Sequence, residues 1–335
     1  MKKWPVWGAT MAVVMNDDSR SRGRGELVEG VITRLHSRHA VVQAQERTVR
    51  CTMRPSLFRN TVALTQPLAV GDRVRATFFE DAGGVVEELL ERTSCLSRAQ
   101  QGTERQQVIV ANVELLVITA ALREPSLRPR LIDRLLVAGE REELDIAVIL
   151  NKADLAEDRA PFHHRVMVLR DLGYPVIFTS AVTGEGIVEL RDVLKDRTSV
   201  FSGQSGVGKS SLLNAVQPGL SLRIGDVSAK WKKGRHTTTA VSLLPLDIGG
   251  YVVDTPGFRS FGISGLEAWE IGHLFRDIHR LAPECHFTTC SHTHEPECAV
   301  KAGLETGVLD AERYVSYVRI ISGEEEILLG EPEEE

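Results

Sequence analysis

GQSGVGKS at residues 203–210 matches G-x-x-x-x-G-K-[ST] in full. It follows a short apolar run, Ser199 to Ser202, and opens a stretch of helical character, SSLLNAV. That strand–loop–helix setting is what a phosphate-gripping loop requires. Gly203, Gly206 and Gly208 let the backbone close around an anion. The N–H groups of Gln204, Ser205 and Val207 and the positive end of the helix then face it. Lys209 reaches the β- and γ-phosphates, Ser210 offers its hydroxyl to Mg²⁺, and Ser211 shares the same first turn. A chance glycine-rich turn is the bland alternative, and the match on both flanks disfavours it.

Around this loop the chain alternates strand-length apolar runs with helix-length stretches. ELLVITAA, DIAVIL, PVIFTS, SVFSG and YVVDTPG are the runs. Such alternation predicts a mostly parallel α/β sheet covered by helices. The exception is 220–254, where a loop leads into two adjacent strands at 241–247 and 250–254.

One of the runs ends in Asn151–Lys152–Ala153–Asp154. The Asp154 carboxylate is suited to accept from N1–H and the 2-amino group of guanine. Adenine lacks both donors and would leave a desolvated carboxylate unpaired. The Lys152 stem can lie along the base, and Asn151 can tie this loop to the phosphate loop. PVIFTSA ends at Ser180–Ala181, where a backbone N–H can meet the guanine O6. Alone, the four-residue motif reads equally as a strand-end turn; beside a full phosphate loop it selects guanine.

YVVDTPG leads to Asp254, placed to hold Mg²⁺ through water, and to Gly257, whose N–H senses a γ-phosphate. Between the motifs lies AKWKKGRHTTTA. One of Thr237, Thr238 or Thr239 is expected on Mg²⁺, with Thr238 taken as the ligand. The residue after Gly257 is Phe258, which cannot orient a water as a glutamine would. His236 is the local candidate for that catalytic task, against the plainer reading of a partner or solvent contact. The motifs run 151–154, 180–181, 203–210, 237–239, 254–257. Base-reading elements therefore precede phosphate-gripping ones, a rotated order that builds the same site if the old termini lay close together.

Residues 26–90 read differently. VEGVITRL, HAVVQAQ, RTVRCTM, DRVRATFFE and GGVVEEL are five short alternating segments, predicting a small β-barrel of OB-fold type. The 335-residue chain carries a net charge of -6, with 42% hydrophobic and 26% charged residues. This composition excludes a disordered or collagen-like chain. The charge is uneven: residues 1–98 hold 15 basic and 11 acidic side chains, whereas 310–335 hold 2 and 9. Arg34, Arg38, Arg47, Arg50, Arg54 and Arg59 are candidates for an RNA-facing surface, or simply a solvated one. Lys2 and Lys3 before an apolar stretch imitate a leader, but Trp4–Pro5 and the missing cleavage site favour a loose extension. The protein is expected to be cytoplasmic, monomeric and without a membrane span.

Cys285, Cys290, His292 and Cys298 give C-x₄-C-x-H-x₅-C, a donor set suited to one tetrahedral, structural Zn²⁺. His286 and His294 remain alternatives to His292. Cys51 and Cys95 lie far from this cluster and read as core residues.

Together NKAD, the SA pair, GQSGVGKS, GRHTTT, DTPGF and the Cys/Cys/His/Cys spacing resemble the circularly permuted, small-ribosomal-subunit biogenesis GTPases (the RsgA, or YjeQ, family). The likeness runs from about Glu26 to about Ser322 and includes QQVIVANVELLVI and RYVSYVRI. The resemblance implies an N-terminal OB-fold, a circularly permuted P-loop GTPase domain and a C-terminal, mainly α zinc-binding domain. The corresponding limits are a 1–25 extension, then 26–98, 99–264 and 265–335. It further implies GTP hydrolysis stimulated by the small ribosomal subunit, with that subunit and its rRNA as partners. His236 falls on the position of the family's hydrolysis-assisting histidine. Two other classes compete: a nucleotide-regulated RNA-binding module with negligible turnover, and a metabolic P-loop kinase, whose acceptor pocket has no candidate in the sequence.

Overall fold

The computed structural model describes residues 25–36, 39–58, 67–80, 83–99, 106–220, 241–254 and 266–323. The extension 1–24, Arg38, Arg59, the 221–240 stretch, the 255–265 stretch and the acidic end lie outside them.

All five segments read as barrel strands form: β1 (Glu26–Leu35), β2 (His39–Ala44), β3 (Arg47–Met53), β4 (Arg73–Phe79) and β5 (Gly83–Leu89). They close in the order β1-β2-β3-β5-β4-β1, with only β3 and β5 parallel. This is a closed barrel of OB type. Ten residues make β1 long enough to serve two partners. Glu26–Val31 pair with β4 and Val31–Leu35 with β2, the latter ladder shifting register between Ile32 and Arg34. Alternation places Ile32, Ala40, Val42, Cys51, Val74, Ala76, Phe78 and Val86 inside. Cys51 is fully buried, and that burial pushes its thiol up to about 11, an unreactive core residue.

Beyond the barrel, β6 (Cys95–Ala99) and β7 (Gln106–Ala111) form an antiparallel pair of their own. The sheet that follows contains β8 (Leu115–Ala121), β9 (Asp145–Asn151), β10 (Val176–Phe178), β11 (Thr198–Ser202), β12 (Ser242–Pro245) and β13 (Tyr251–Asp254). Their order is β10-β9-β8-β11-β13-β12, parallel throughout except for β12 against β13. Every residue of β8 is buried, which explains its unbroken apolar run. On one face α1 (Pro129–Arg141) and α2 (Ala160–Asp171) bury Ile132, Leu136, Val166 and Leu169 against Leu116 and Ile118. On the other, α3 (Ile187–Leu194) and α4 (Lys209–Val216) pack Leu190, Leu194, Leu212 and Val216 against Leu115 and Val117.

Two joints connect these bodies. Arg34 of β1 pairs with Ser242 of β12, so barrel and sheet share an edge. Asn112 donates from Nδ2 to the Gly71 carbonyl at 2.9 Å, beside the fully buried Asp72, which Arg92 grips with two nitrogens.

The C-terminal helices are α5 (Ala268–Leu274), α6 (Arg276–Leu281), α7 (Ala299–Glu305) and α8 (Ala311–Ser322). Ile271, Phe275, Ile278, Val300, Leu309 and Tyr317 form their core, which also takes in Val137 of α1. An ionic network completes the seam. Arg313, 1% exposed, bonds Asp133 of α1 at 2.7 Å and Asp277 at 2.5 and 2.9 Å, while Arg165 of α2 also reaches Asp133. The Arg313 guanidinium lies 4.8 Å from the Phe275 ring centroid.

Candidate nucleotide site and metal centre

The loops after β9, β10 and β11 leave the carboxyl ends of parallel strands, the edge where open α/β sheets take ligands. Because β11 sits beside β8 in the middle of the sheet, chain order does not matter. The phosphate loop comes after the base-reading loops in sequence and lies next to them in space.

The loop 203–208 is shaped for close approach. Gly203 has φ +145, and a Cβ there would lie 1.9 Å from the Thr119 carbonyl oxygen. Gly208 has φ +93, and its Cβ would lie 2.5 Å from Asn151 Nδ2. Neither position admits a side chain, so the cradle a phosphate needs exists only with glycine. Val207 is buried at 1% exposure and anchors the loop, while Gln204, Ser205 and Gly206 form its outer side. Lys209 crosses the loop, donating to the Gly203 and Gln204 carbonyls at 2.8 and 2.9 Å. Ser210, 9% exposed, and Ser211 lie in the first turn of α4.

Asn151 is 2% exposed and spans the two halves. Its Nδ2 donates to the Val207 carbonyl at 2.7 Å, and its Oδ1 accepts from Thr179 Oγ1 at 3.1 Å. Lys152, held at φ 58, donates to the Glu124 carbonyl. Asp154 is exposed, its Oδ1 accepting from Ser180 Oγ at 2.5 Å. Ser180 is fully buried; its N–H donates to the Glu185 carbonyl, and its Oγ accepts from the Val182 and Thr183 N–H groups. Among the described residues, nothing accepts from the adjacent Ala181 N–H. Of the predicted nucleotide-site residues, 151, 152, 154, 180, 181 and 203–211 thus meet at one edge. Asp254 ends β13 opposite Ser242, and its side chain lies outside the described residues. Thr237, Thr238, Thr239, His236, Gly257 and Phe258 lie outside them as well. Thr179 and Glu124 were missed in the sequence: a lone threonine and a backbone carbonyl carry no motif.

Cys285, Cys290, His292 and Cys298 converge, their ligand atoms all within 4.8 Å of one another. Cys285 Sγ lies 3.9 Å from Cys298 Sγ, and His292 Nδ1 lies 3.6 Å from both. Bonds of ~2.3 Å to sulfur and ~2.0 Å to nitrogen give tetrahedral edges of about 3.8 Å (S–S) and 3.6 Å (S–N). The donor set therefore fits a tetrahedral metal. Burial pushes the Cys290 thiol up to about 12 and holds His292 below its usual value, so the imidazole is in the neutral, ligating form. A bound cation would reverse the thiol's preference and draw out thiolate. His286 is exposed beside Glu297, and exposed His294 bonds Thr293 Oγ1, so neither joins the cluster. The shell around it was not legible in the sequence. Tyr314 donates to the His292 carbonyl at 2.8 Å and Tyr317 to the Ser291 carbonyl at 2.7 Å. Glu295 accepts from the Ser291 and Thr293 N–H groups at 2.6 and 3.1 Å.

Residues 89–264 match the family model described as RsgA GTPase. The chain is 39% identical over 311 residues to the small ribosomal subunit biogenesis GTPase RsgA of Chlorobaculum parvum, covering 90% of this chain and 99% of that one. Among solved structures it is similar to YjeQ from Thermotoga maritima, at 35% identity, 92% and 100% coverage and a TM-score of 0.74. It is also similar to YloQ, a circularly permuted GTPase, at 30% identity, 96% and 100% coverage and a TM-score of 0.69. A barrel joined to a rotated phosphate-loop sheet, matched over nine-tenths of its length by these proteins, places the chain in the RsgA GTPase family of GTP hydrolases.

Proposed function

We propose that the protein acts in late maturation of the small ribosomal subunit, binding the subunit and its rRNA and hydrolysing GTP faster when bound. The relatives' name supports this reading. The observation that carries the nucleotide half is the Asn151–Val207 hydrogen bond, which locks base-reading and phosphate-gripping loops into one pocket.

In that pocket Asp154 takes the two guanine donors, the Ala181 N–H takes O6, and the Lys152 stem lies along the base. The N–H groups of 204–208 cradle the phosphates, and Lys209 exchanges its loop carbonyls for phosphate oxygens. Ser210, Thr238 and Asp254 would hold a Mg²⁺ that neutralises charge on the triphosphate, and the Gly257 N–H would sense the γ-phosphate. His236 orients the attacking water in place of the glutamine that Phe258 replaces.

The Cys/Cys/His/Cys site holds Zn²⁺ in a structural role: four protein ligands leave no open position. We take the functional units to be a 1–25 extension, a 26–98 barrel, a 99–264 GTPase domain and a 265–335 metal-binding domain. Arg34, Arg47, Arg50 and Arg54 lie exposed on the barrel. The Arg47–Glu26 and Arg54–Glu87 pairs are surface contacts, which phosphates displace at little cost. The protein works as a cytoplasmic monomer. Among the described residues no helix is long and apolar enough to cross a membrane.

The test is the GTPase rate with purified small subunits, large subunits and neither. A slow basal rate, raised many-fold by small subunits alone, is expected. A rate indifferent to small subunits would refute the proposal.

A further inference from the structure

The turns that carry Asp154 and Ser180 are joined by an ion pair with no place in either motif. Arg159, just before α2, donates from both terminal nitrogens to both carboxylate oxygens of Glu185, at 2.7 and 2.8 Å. The same guanidinium lies 5.1 Å from the centroid of the Phe178 ring, at the end of β10. Glu185 in turn accepts the Ser180 N–H on its carbonyl at 3.0 Å, and Ser180 Oγ donates to Asp154 at 2.5 Å. The contacts run unbroken from Arg159 through Glu185 and Ser180 to the base-reading carboxylate.

A planar fork matched to a carboxylate fixes orientation as well as distance. The side chains of this pair are 38% and 39% exposed, so its worth in folding energy is small. Its geometry is what matters, because the β9–β10 backbone bonds end where the Ala153 N–H meets the Thr179 carbonyl, and the outer parts of both turns, 154–159 and 180–186, lie beyond that last rung. It also manages charge. The Arg159 hydrogen bonds hold the Glu185 carboxyl below its ordinary value, against the opposing influence of nearby Asp154. Freed from Arg159, Glu185 would present an unbalanced negative charge close to the carboxylate that reads the base.

We propose that the Arg159–Glu185 pair is a positioning device for guanine selection, holding the 151–159 loop and the 180–186 turn at the spacing where Asp154 meets N1–H and the 2-amino group together. This rests on the guanine reading proposed above. A two-point contact needs both carboxylate oxygens in the plane of the base. Loosening the turns sacrifices the second point first, so the loss falls on the 2-amino contact.

The experiment compares dissociation constants for GDP and IDP, whose base lacks the 2-amino group, using the full-length protein. Wild type, Arg159→Ala, Glu185→Gln and the charge-reversed double variant Arg159→Glu/Glu185→Arg are measured, each with its thermal midpoint. Wild type is expected to prefer GDP by about tenfold, the worth of one charge-assisted hydrogen bond. Either single variant should weaken GDP about fivefold and IDP less than about twofold, with little change in midpoint. The double variant should recover the preference. A GDP:IDP ratio unchanged in both single variants, or equal losses for both nucleotides, would overturn the positioning role while leaving Asp154 as reader. A wild type that binds GDP and IDP alike would overturn both.

Discussion

Replacing Arg313 with Met should detach the C-terminal helices from the GTPase sheet while leaving the barrel untouched. Met keeps most of the stem's volume but removes the guanidinium. Lost with it are the 2.7 Å bond to Asp133, the 2.5 and 2.9 Å bonds to Asp277 and the stacking on Phe275. Asp133 is fully buried, and its Oδ2 is already without a hydrogen-bond partner, so it would depend on Arg165 alone. Removing one partner from a buried pair costs about 3–5 kcal/mol, mostly through the charge left behind. That corresponds to roughly a 150- to 4000-fold rise in local opening. Amide hydrogen exchange of full-length protein is the assay. Residues 311–322 of α8 should lose protection by that factor, and 26–35 of β1 should not. Combining Arg313→Met with Asp277→Asn should cost less than the sum of the two, because the pair shares its loss. Unchanged protection of α8, or additive losses, would refute the claim that this network fastens the seam.

Gly208→Ala should abolish measurable nucleotide affinity and lower stability by about 1–3 kcal/mol, since the new Cβ meets Asn151 Nδ2 at φ +93; calorimetric titration with GDP checks it. Chelation should release one metal per chain and unfold the helices that follow residue 266, with the ellipticity of the sheet retained, because metal binding there is folding energy. Glu295 gives a pH signature. Burial raises its carboxyl, but hydrogen bonds from Ser291 and Thr293 outweigh that and bring it to about 2 from 4.5. A depressed carboxyl adds stability above its unfolded value and loses it as pH falls through the folded one. The stability gap between wild type and Glu295→Gln should therefore be full above pH 4.5, on the order of 1 kcal/mol after solvent screening, and close toward pH 2. A gap independent of pH would remove the carboxylate from the account.

Features with a local physical cause were legible in the sequence. The fully buried β8 and the β9 strand, buried from Ile146 onward, are legible as apolar runs, and the barrel strands as alternation broken at turns. Glycines at 203 and 208 were forced by left-handed backbone and close contact. What escaped depends on partners remote in the chain. Asp133 and Arg313 stand 180 positions apart, and nothing periodic marks either. Arg159 and Glu185 read as ordinary surface charges until the fold brings β9 and β10 together. The β6–β7 pair escaped because it falls between the barrel's alternation and the sheet's apolar runs and belongs to neither. Three histidines crowd the cysteine cluster, and spacing alone did not choose among them. The turn at His292, with φ 57, points its Nδ1 inward and leaves His286 and His294 in solvent.

The most direct test of the rotated guanine pocket is a nucleotide swap at Asp154. Asp154→Asn should lose GDP affinity by at least about tenfold and gain affinity for xanthosine diphosphate, whose 2-oxo group matches the amide. An Asp154→Asn protein with wild-type preference for GDP and no new affinity for the xanthosine nucleotide would contradict it.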